Sequence, residues 1–438
     1  MPRGNLIVIC VAFVVALICY QSAAQSRYAL MFQQGLRTIS DFYVRPVEDE
    51  DLFNAAMEGL TAPLDQNSVY IAPPRYSNFR RELGQEFGGI GVHVDFDEET
   101  REMVIITPLA GAPAYEAGIQ AGDIVLAIDG VQLNGEDFDK SLERLHGETG
   151  TPVTLTVKHI GQEEPVDITM TRANIMVESV MGDTHGAGGK WDFHLASNPK
   201  IGYIRVDSFG DRTAEDFEAA LDQIGNDAEG LIIDMRGNAG GYLTAAIQMV
   251  DMFLDKGDIV TTRTRNNRIR DVYEASSGAT IVPKSLPVVV MVNRFSASAS
   301  EIFAAALQDH GRATVVGERS FGKGTVQSIF PLDGDRRAMK ITTATYWRPN
   351  GSNIHRFPDS KEEDDWGVSP DEGKELELDD QTLTKVIKAR RLHDVDRTNF
   401  SNPDQATKRE ISEEEQELLD FKDPQLQLAI EVIEEAKK

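Results

Sequence analysis

Three short apolar runs in the second half of the chain restrict its fold more than any other feature. The first two are near-continuous apolar strands, which is typical of strands that are buried on both faces of a sheet, and the third has a strand-like pattern. The runs are "AEGLIIDMRG" (228–237), "LPVVVMVN" (286–293) and "RATVVGE" (312–318). Amphipathic helical patterns alternate with these strands along the chain, and the alternation predicts an α/β core.

A glycine-rich stretch and several short strands predict a separate domain over residues 86–173. Its motifs are "GGIGV" (88–92), "AGIQAGD" (117–123) and "IDG" (128–130), and two strands close it as a hairpin. This ordered set resembles a PDZ domain of the bacterial type, a small β-sandwich with two helices. The resemblance implies that N–H groups of the glycine-rich stretch at 88–92 bind a peptide's terminal carboxylate. The edge of the strand that follows would pair with the peptide backbone. The peptide-binding residues that it implies are Gly89, Ile90, Gly91 and Val92.

The N-terminal segment 1–24 has the pattern of an export signal. Arg3 precedes an apolar run from Leu6 to Tyr20, and the small residues Ser22 and Ala24 follow it. The run is short for a membrane-spanning helix, so we interpret it as a secretory signal that is cut after Ala24. The alternative is an uncleaved membrane anchor. Either interpretation predicts an exported protein of the periplasm or cell envelope.

Charge and cysteine content exclude several kinds of function. The net charge is −27, so the chain repels polyanions and nucleic acid is not an expected partner. The basic run "RTRNNRIR" (263–270) is the best candidate for a nucleic-acid-binding patch, but a solvated strand face explains it at least as well. Both cysteines, Cys10 and Cys19, lie in the N-terminal segment, which leaves no thiol chemistry in the exported part. The chain also lacks H-E-x-x-H and G-x-S-x-G motifs.

The stretch "VVGERSFGKGTVQ" (315–327) almost matches a phosphate-binding loop. Gly317, Gly322 and Lys323 fit G-x-x-x-x-G-K, but Gly324 stands where a Ser or Thr is required. A phosphate loop also needs a helix directly after its lysine, because the helix N-terminus holds the phosphates. The residues after Gly324 have a strand-like pattern instead, which disfavours nucleotide binding.

Ser298 lies where a buried strand meets a helix, in "VNRFSASASEIFAAALQDHG" (292–311). The start of a helix offers unpaired N–H groups and a positive dipole end, which suit a developing oxyanion. Ser298 and Glu301 also match a capping box, which requires no catalytic role. Taken alone, this segment favours helix capping.

Lys323 could supply the base that a nucleophilic serine needs. A lysine accepts a proton only when it is neutral, and burial can lower its pKa from the ordinary value near 10.4. Glycines at 322 and 324 would let the lysine backbone pack closely. If Lys323 begins a strand, Gln327 points to the same face and could orient the lysine amine.

Together these segments resemble the carboxyl-terminal processing peptidases, the tail-specific serine proteases of peptidase family S41. The resemblance covers roughly residues 25–371 and implies a ClpP/crotonase-like α/β core that carries the PDZ domain. The matching stretches are "IIDMRGNAGGYL" (232–243), "FSASASEIFAAALQDHGRATVVGERSFGKGTVQ" (295–327), "TTATYWRPNGSNIH" (342–355) and "WGVSPD" (366–371).

The resemblance implies a Ser–Lys dyad and a mechanism. Ser298 would be the nucleophile, Lys323 the base and Gln327 the third member of the site. Peptide bonds would be hydrolysed through an acyl-enzyme, with no metal or cofactor. The substrates would be proteins with exposed C-terminal tails, which the PDZ domain would bind while gating the active site.

The oxyanion hole that the family uses maps onto two segments of this chain. One N–H group would come from Ala299 and the other from Gly240 or Gly241, and the sequence leaves open which glycine. Two departures from the family pattern lie nearby, because Gly237 and Ala239 stand where Asn and Pro are usual. We therefore expect a more flexible turn.

A third departure lies in the PDZ domain. Family members often have an arginine that senses peptide binding, and His146 stands at that place in "LHGETGT" (145–151). The gating link is therefore either absent or sensitive to pH, since an unperturbed histidine titrates near pH 6.5.

The sequence predicts five segments. These are a signal or anchor (1–24), a helical module (25–85), the PDZ domain (86–173), the protease core (174–378) and a polar tail with a terminal helix (379–438). Helices at both ends could mediate a homodimer. The rival hypothesis is a non-catalytic PDZ scaffold on an inactive protease core, and for the PDZ segment alone the alternative is a β-sandwich whose glycine turns bind nothing.

Overall fold

The structure is a computed structural model of the 438-residue chain. It describes residues 13, 27–73, 75–83, 86–96, 102–109, 111–133, 138–159, 162, 164–186, 190–394 and 413–437. The proposed signal or anchor segment lies outside these residues except for Phe13. No described helix has the length and apolar character needed to cross a membrane.

The chain divides into two compact units. The smaller unit consists of the residues up to Tyr76 and of Gln327–Thr342, and the larger unit consists of Ser77–Val326 and Thr343–Lys438. The first described elements in chain order are α1 (Arg27–Phe42), α2 (Asp49–Thr61), β1 (Val69–Ile71) and α3 (Arg75–Leu83).

The smaller unit is held together by strand pairing and by the hydrogen bonds of the buried Arg337. β1 pairs antiparallel with residues 338–340. The guanidinium of Arg337 donates to the hydroxyl of Tyr70 at 3.1 Å and to the carboxylate of Glu50 at 3.0 Å. The helices that the sequence predicts for residues 25–85 therefore form, together with one short strand.

The larger unit begins with the segment that resembles a PDZ domain. Its sheet has the order β3-β4-β5-β7-β8, so that β3 is an edge strand, and β2 pairs with β9. A separate apolar core, with Ile105, Ile119 and Leu155 fully buried, fills the domain. The elements are β2 (Glu86–Gly89), β3 (Val92–Phe96), β4 (Met103–Pro108), α4 (Pro113–Glu116), β5 (Ile124–Ile128), β6 (Val131–Gln132), α5 (Phe138–Leu145), β7 (Pro152–Lys158), β8 (Val166–Thr171) and β9 (Ala173–Met176).

The next elements include the central sheet, its crossover helices, a separate strand pair and a hairpin that belongs to another sheet. They are β10 (Val180–Met181), β11 (Thr184–His185), β12 (Trp191–Asp192), β13 (His194–Leu195), β14 (Asn198–Val206), α6 (Thr213–Ile224), β15 (Gly230–Asp234), α7 (Leu243–Asp251), β16 (Asp258–Thr264), β17 (Arg268–Glu274), β18 (Val288–Val292), α8 (Ala299–Asp309) and β19 (Thr314–Gly317). The separate pair is β11–β12, and the hairpin is β16–β17. β14, β15, β18 and β19 run parallel in that order. The α/β core predicted from the apolar runs is confirmed.

The remaining elements close the chain. They are β20 (Thr325–Leu332), β21 (Arg337–Trp347), α9 (Asp380–His393), α10 (Glu413–Leu419) and α11 (Pro424–Ala436). In the larger unit, residues 261–263 of β16 pair with residues 345–347 of β21, and β17 lies beside β16. The basic run at 263–270 forms the turn of the β16–β17 hairpin and is largely exposed, as the solvated-strand interpretation predicts.

The central sheet is covered on both faces, which explains why β15 and β18 are buried at every position. α6, α7 and α8 share one apolar cluster with the sheet, and α11 packs against the opposite face. The contact with α11 is close, because a Cβ at Gly230 would lie 2.3 Å from Ile433. The terminal helix predicted from the sequence is therefore part of the packed core.

The topology brings two loops to one edge of the sheet. β15 and β18 are parallel neighbours, so that their carboxyl ends meet, and this edge is where α/β proteins place their sites. The loop after β15 contains the turn at 237–241, and the loop after β18 leads to Ser298. Both segments that the sequence analysis selected thus leave the sheet side by side.

Candidate active site

Ser298 has an unusual backbone conformation at the start of α8. It occupies the N-cap position with φ 57° and ψ −111°, and it is largely buried. Positive φ in a residue other than glycine costs on the order of 1–3 kcal/mol and persists only where the surroundings enforce it. Such strain is typical of functional sites, and it separates Ser298 from an ordinary helix cap.

The residues around Ser298 impose this conformation through hydrogen bonds. The hydroxyl of Ser296 accepts from the main chain of Asn293 at 2.9 Å and donates to the carbonyl of Met235 at 2.8 Å. The N–H of Ala297 donates to the carbonyl of Asn238 at 2.9 Å. The loop that carries Ser298 is therefore attached to the loop after β15.

Glu301 is the centre of the site. Its fully buried carboxylate accepts four hydrogen bonds. One oxygen accepts from the N–H groups of Ser298 at 2.7 Å and Lys323 at 2.8 Å. The other accepts from the hydroxyl of Ser320 and the N–H of Gly322, both at 2.6 Å. A single carboxylate oxygen thus brings the main chains of Ser298 and Lys323 together.

The capping interpretation of the sequence accounts for only part of what Glu301 does. Its bond to the N–H of Ser298 is half of a capping box, but the other bonds reach the loop that follows β19, from Ser320 to Lys323. Burial raises the pKa of the Glu301 carboxyl, and the four donated hydrogen bonds act in the opposite direction. All four bonds require acceptor oxygens, which the ionised carboxylate supplies.

Two glycines allow the loop around Lys323 to pack against residues 354–356. A Cβ at Gly322, where φ is +84°, would lie 2.7 Å from the Cβ of Arg356. A Cβ at Gly324 would lie 2.3 Å from the main-chain nitrogen of His355. Lys323 itself lies in the loop, just before β20 begins at Thr325. Gly324, which spoils the phosphate-loop match, is thus required by close packing.

The turn at residues 237–241, here called the glycine turn, lies directly against Ser298. At Gly240, where φ is +102°, a Cβ would lie 2.8 Å from the Cβ of Ser298 and 3.1 Å from the nitrogen of Ala299. Buried Asn238 holds the turn, since its side chain accepts from the N–H of Gly240 and donates to the carbonyl of Val206, both at 2.8 Å. These bonds tie down a turn that the sequence predicts to be flexible.

The two candidate oxyanion glycines differ in their hydrogen bonding. The N–H of Gly240 donates to Asn238. The peptide groups on either side of Gly241 pair with Phe209, which turns the N–H of Gly241 to the other side. Within the described part of the chain, the N–H groups of Gly241 and Ala299 donate to no carbonyl in the turns, loops and helix caps. Of the two glycines, Gly241 is the one whose N–H is available.

Gln327 lies in the smaller unit. Its side-chain nitrogen donates to the hydroxyl of Thr342 at 3.1 Å, and that hydroxyl donates to the carboxylate of Asp65 at 3.0 Å. Asp65 accepts further bonds from Ser68 and Asn67, and although burial acts to raise its pKa, these bonds lower it below its ordinary value. This network holds the Gln327 side chain by one of its polar atoms.

The predicted peptide-binding residues of the PDZ segment form a tight turn before an edge strand. Gly89 ends β2, and Val92 begins β3. Ile90 is buried, and its carbonyl accepts from the N–H of Ala114 at 2.9 Å. The outer edge of β3 is unpaired in the described sheet. The turn and the edge have the arrangement that a carboxylate loop and an added peptide strand require.

His146 directly follows α5 and has an exposed side chain. The end of α5 is held by Arg172, whose buried guanidinium donates to the carbonyls of Leu145 at 3.2 Å and Arg144 at 2.7 Å. Arg172 was not predicted from the sequence. The signal was weak, because an arginine at a strand end has no distinctive spacing.

If the PDZ segment binds C-terminal tails, Gly91→Ala should impair that binding. Gly91 has φ +73°, and a Cβ there would lie 2.3 Å from the Cβ of Ala112. The turn must shift, so the affinity for a free-carboxylate tail peptide should fall at least about tenfold, or about 1.4 kcal/mol. Fluorescence polarisation with a labelled peptide measures this affinity.

Gly111→Ala is the matched control for this prediction. Gly111 has almost the same φ, +74°, but among the described residues beyond its chain neighbours no atom lies within 4 Å of the position of its Cβ. Both variants therefore carry the strain of positive φ, and only Gly91→Ala adds a collision. Equal peptide affinities of the two variants would show that the turn plays no part in binding.

Comparison with known proteins identifies the family of the chain. Residues 200–372 match the model of peptidase family S41, and residues 104–159 match a PDZ domain model. The chain is 36% identical over 334 residues to the carboxy-terminal-processing protease of Bartonella bacilliformis, covering 75% of this chain and 71% of that protein. It is 34% identical over 336 residues to a carboxyl-terminal-processing protease of Synechocystis sp., covering 76% and 74%.

Among solved structures, the photosystem II D1 C-terminal processing protease is 27% identical and aligns with a TM-score of 0.45, covering 85% of this chain and 99% of that one. The identities to the two curated relatives show that the chain belongs to peptidase family S41, the carboxyl-terminal processing peptidases, and it carries a PDZ domain. It is a serine-type peptidase. The family and the fold class predicted from the sequence are confirmed.

Proposed function

We propose that this chain cleaves protein substrates with Ser298 as nucleophile and Lys323 as base, after its PDZ domain has bound their C-terminal tails. The main support for the dyad is that the N–H groups of Ser298 and Lys323 both donate to one oxygen of Glu301. A second support is the strained backbone of Ser298, because strain of this kind clusters at functional sites.

The proposed reaction has two halves. In the first, the neutral amine of Lys323 takes the proton of the Ser298 hydroxyl while the serine oxygen attacks the carbonyl carbon of the scissile peptide. The lysine then gives this proton to the leaving amine, and an acyl-enzyme remains. In the second, a water molecule loses a proton to the same lysine as it attacks the ester carbon, and the lysine then returns that proton to the departing serine oxygen, which restores the serine and the neutral amine.

The oxyanion of each tetrahedral intermediate needs donors that are already in place. We assign these donors to the N–H groups of Ala299 and Gly241. The choice of Gly241 over Gly240 is supported by the bond of the Gly240 N–H to Asn238. Ala299 is the first residue of α8, so its N–H also lies at the positive end of the helix dipole.

Gln327 is proposed as the residue that orients the lysine amine, and this assignment rests on the family resemblance.

We also propose where the protein acts and how it assembles. The apolar N-terminal run supports export to the periplasm or cell envelope, with either a cleaved signal or a membrane anchor. Exposed apolar side chains on α1, including Tyr28 at 79% and Phe42 at 81%, support a homodimer contact.

The function is tested with one unfolded protein substrate in two forms, with a free C-terminal carboxylate and with an amidated C-terminus. We expect the free form to be cleaved at least about tenfold faster at subsaturating concentration. Amidation removes the terminal carboxylate that the N–H groups of the PDZ turn would bind. Gel electrophoresis and mass spectrometry follow the products. Equal cleavage of both forms would contradict tail recognition, and no cleavage of either would favour the scaffold hypothesis.

His146 gives a separate prediction about gating. If a protonated histidine replaces the family's arginine, wild type and His146→Arg should have similar activity at about pH 5.5 and should diverge toward about pH 8, where histidine is neutral. Peptidase assays over this range measure the ratio of the two rates. A ratio that stays constant with pH would rule out a gating role for the His146 charge.

A further inference from the structure

Arg236 lies between the glycine turn and the C-terminal helix. It directly precedes Gly237 and follows closely after β15, which ends at Asp234. Its side chain is only 11% exposed although it carries a full charge. A buried guanidinium needs partners for its five N–H donors, and those partners lie on both sides of it.

On one side, Asp234 holds both the main chain and the side chain of Arg236. Its carboxylate accepts from the main-chain N–H of Arg236 at 3.0 Å, from Nε at 2.9 Å and from Nη2 at 2.6 Å. The hydroxyl of Tyr203 donates to the same carboxylate at 2.8 Å. Burial acts to raise the pKa of Asp234, but the charge and hydrogen bonds of Arg236 outweigh it and hold that pKa below its ordinary value.

On the other side, Arg236 contacts the first turn of α11. Its Nη2 lies 2.8 Å from the carboxylate of Asp423, and its Nη1 donates to the side-chain oxygen of Gln425 at 3.0 Å. Asp423 also caps α11, since it accepts from the N–H groups of Gln425 and Leu426. Buried Gln425 in turn donates to the carbonyl of Leu376 at 2.7 Å.

The glycine turn needs support from outside itself. Gly237, Gly240 and Gly241 all have positive φ, which glycine adopts freely but which also leaves the backbone many other conformations. An oxyanion hole acts only if its donors are fixed before the reaction. Asn293 holds the turn from the end of β18, where its side chain accepts from the N–H of Gly237 at 2.9 Å. Arg236 is the attachment on the opposite side.

We propose that Arg236 is a positioning residue for the oxyanion hole, and that α11 holds it in place through Asp423 and Gln425. The inference rests on the proposed function, because it assigns the oxyanion donor to Gly241 of the glycine turn. The C-terminal helix, which is far from the turn in sequence, thus helps to position the oxyanion donor of the catalytic centre.

Asp423→Asn is the most selective test. Asparagine is as good an N-cap as aspartate, so α11 stays capped while Arg236 loses its second charge partner. We expect kcat to fall about tenfold with KM unchanged, a smaller loss than the about 10²- to 10³-fold of deleting an oxyanion donor. The assay uses the full chain and a peptide substrate, with the folded fraction measured by circular dichroism.

Lys374→Gln is the matched control. Lys374 forms an ion pair with Glu435 at 2.9 Å, so this variant also removes an ionic attachment of α11 but does not contact Arg236. We expect its kcat to stay within about twofold of wild type. A further variant, Arg236→Lys, should lower kcat by itself, and adding Asp423→Asn to it should lower kcat little more, because both act through one contact.

The outcomes separate the inference from the function on which it rests. Unchanged kcat per folded molecule in Asp423→Asn, or equal losses in Asp423→Asn and Lys374→Gln, would overturn the inference while wild type remains active and Ser298→Ala inactive. A Ser298→Ala variant that keeps its activity would overturn the proposed function itself. A drop in kcat confined to Asp423→Asn and Arg236→Lys supports the positioning role.

Discussion

Ser298→Ala and Lys323→Ala are each expected to lower kcat by about 10⁴-fold or more. The reason is that removing either member of a nucleophile–base pair abolishes the covalent route, so that the two single losses and the double loss should be nearly equal. Steady-state assays with a tail-bearing substrate measure kcat. Thermal unfolding of each variant should stay close to wild type, which excludes a loss of fold as the cause.

Lys323→Arg distinguishes a base from a fixed positive charge. Arginine keeps the charge but does not give up its proton in proteins, so it cannot accept one from serine. We expect this variant to be as inactive as Lys323→Ala.

For wild type, the rate should rise between about pH 6 and pH 10 as the lysine loses its proton, because only the neutral amine is a base. A flat profile, or an active Lys323→Arg, would contradict the role of the lysine.

Gly240→Ala is expected to have the second largest effect, a fall in kcat of about 10²- to 10³-fold. The added Cβ would lie 2.8 Å from both the Cβ of Ser298 and the carbonyl oxygen of Ala297. These neighbours belong to the strained loop itself, so that the nucleophile or the glycine turn must move. Either movement separates the serine from the oxyanion donors. Assays of kcat and KM measure the effect, which should lie in kcat.

Gly237→Ala is the matched control within the same turn. Its φ is +80°, and no described residue other than its chain neighbours has an atom within 4 Å of the position of its Cβ. Both substitutions carry the strain of an alanine at positive φ, and only Gly240→Ala adds the collision with Ser298. A kcat for Gly240→Ala that matches the Gly237→Ala value would show that contact between the turn and the serine is unimportant.

The sequence predicts those parts of the site that depend on local pattern. The runs that become β15, β18 and β19 can be predicted as strands from the sequence, because strands that are covered on both faces are apolar at most positions. Ser298 is readable from a strand that leads into a helix, and Lys323 from flanking glycines that packing against Arg356 and His355 requires. The family resemblance then joins the serine and the lysine, which neither pattern does alone.

The residues that join these parts could not be predicted from pattern. Glu301 has the spacing of a capping box, and nothing in that spacing indicates its bonds to Gly322 and Lys323. Likewise, Arg236 and Asp423 meet only because α11 packs on the second face of the sheet. Contacts of this kind depend on the tertiary arrangement, and local propensity carries no information about them.

The glycine turn shows how a local expectation can miss a compensating contact. Gly237 and Ala239 replace residues that would stiffen the turn, which predicts flexibility. Asn238 supplies hydrogen bonds to Gly240 and Val206 instead, and Asn293 holds Gly237. The order of a turn thus depends on where its backbone hydrogen bonds lead, and composition alone does not determine it.

Isolation of the acyl-enzyme tests the central claim most directly. Wild type is mixed with an activated ester substrate, quenched in acid within milliseconds and digested for mass mapping. We predict an acyl group on the peptide that contains Ser298, no acyl group in Ser298→Ala, and a strongly reduced amount in Lys323→Arg. Turnover by wild type with the acyl group on another residue, or acylation of Ser298 that does not depend on Lys323, would contradict the Ser298–Lys323 dyad.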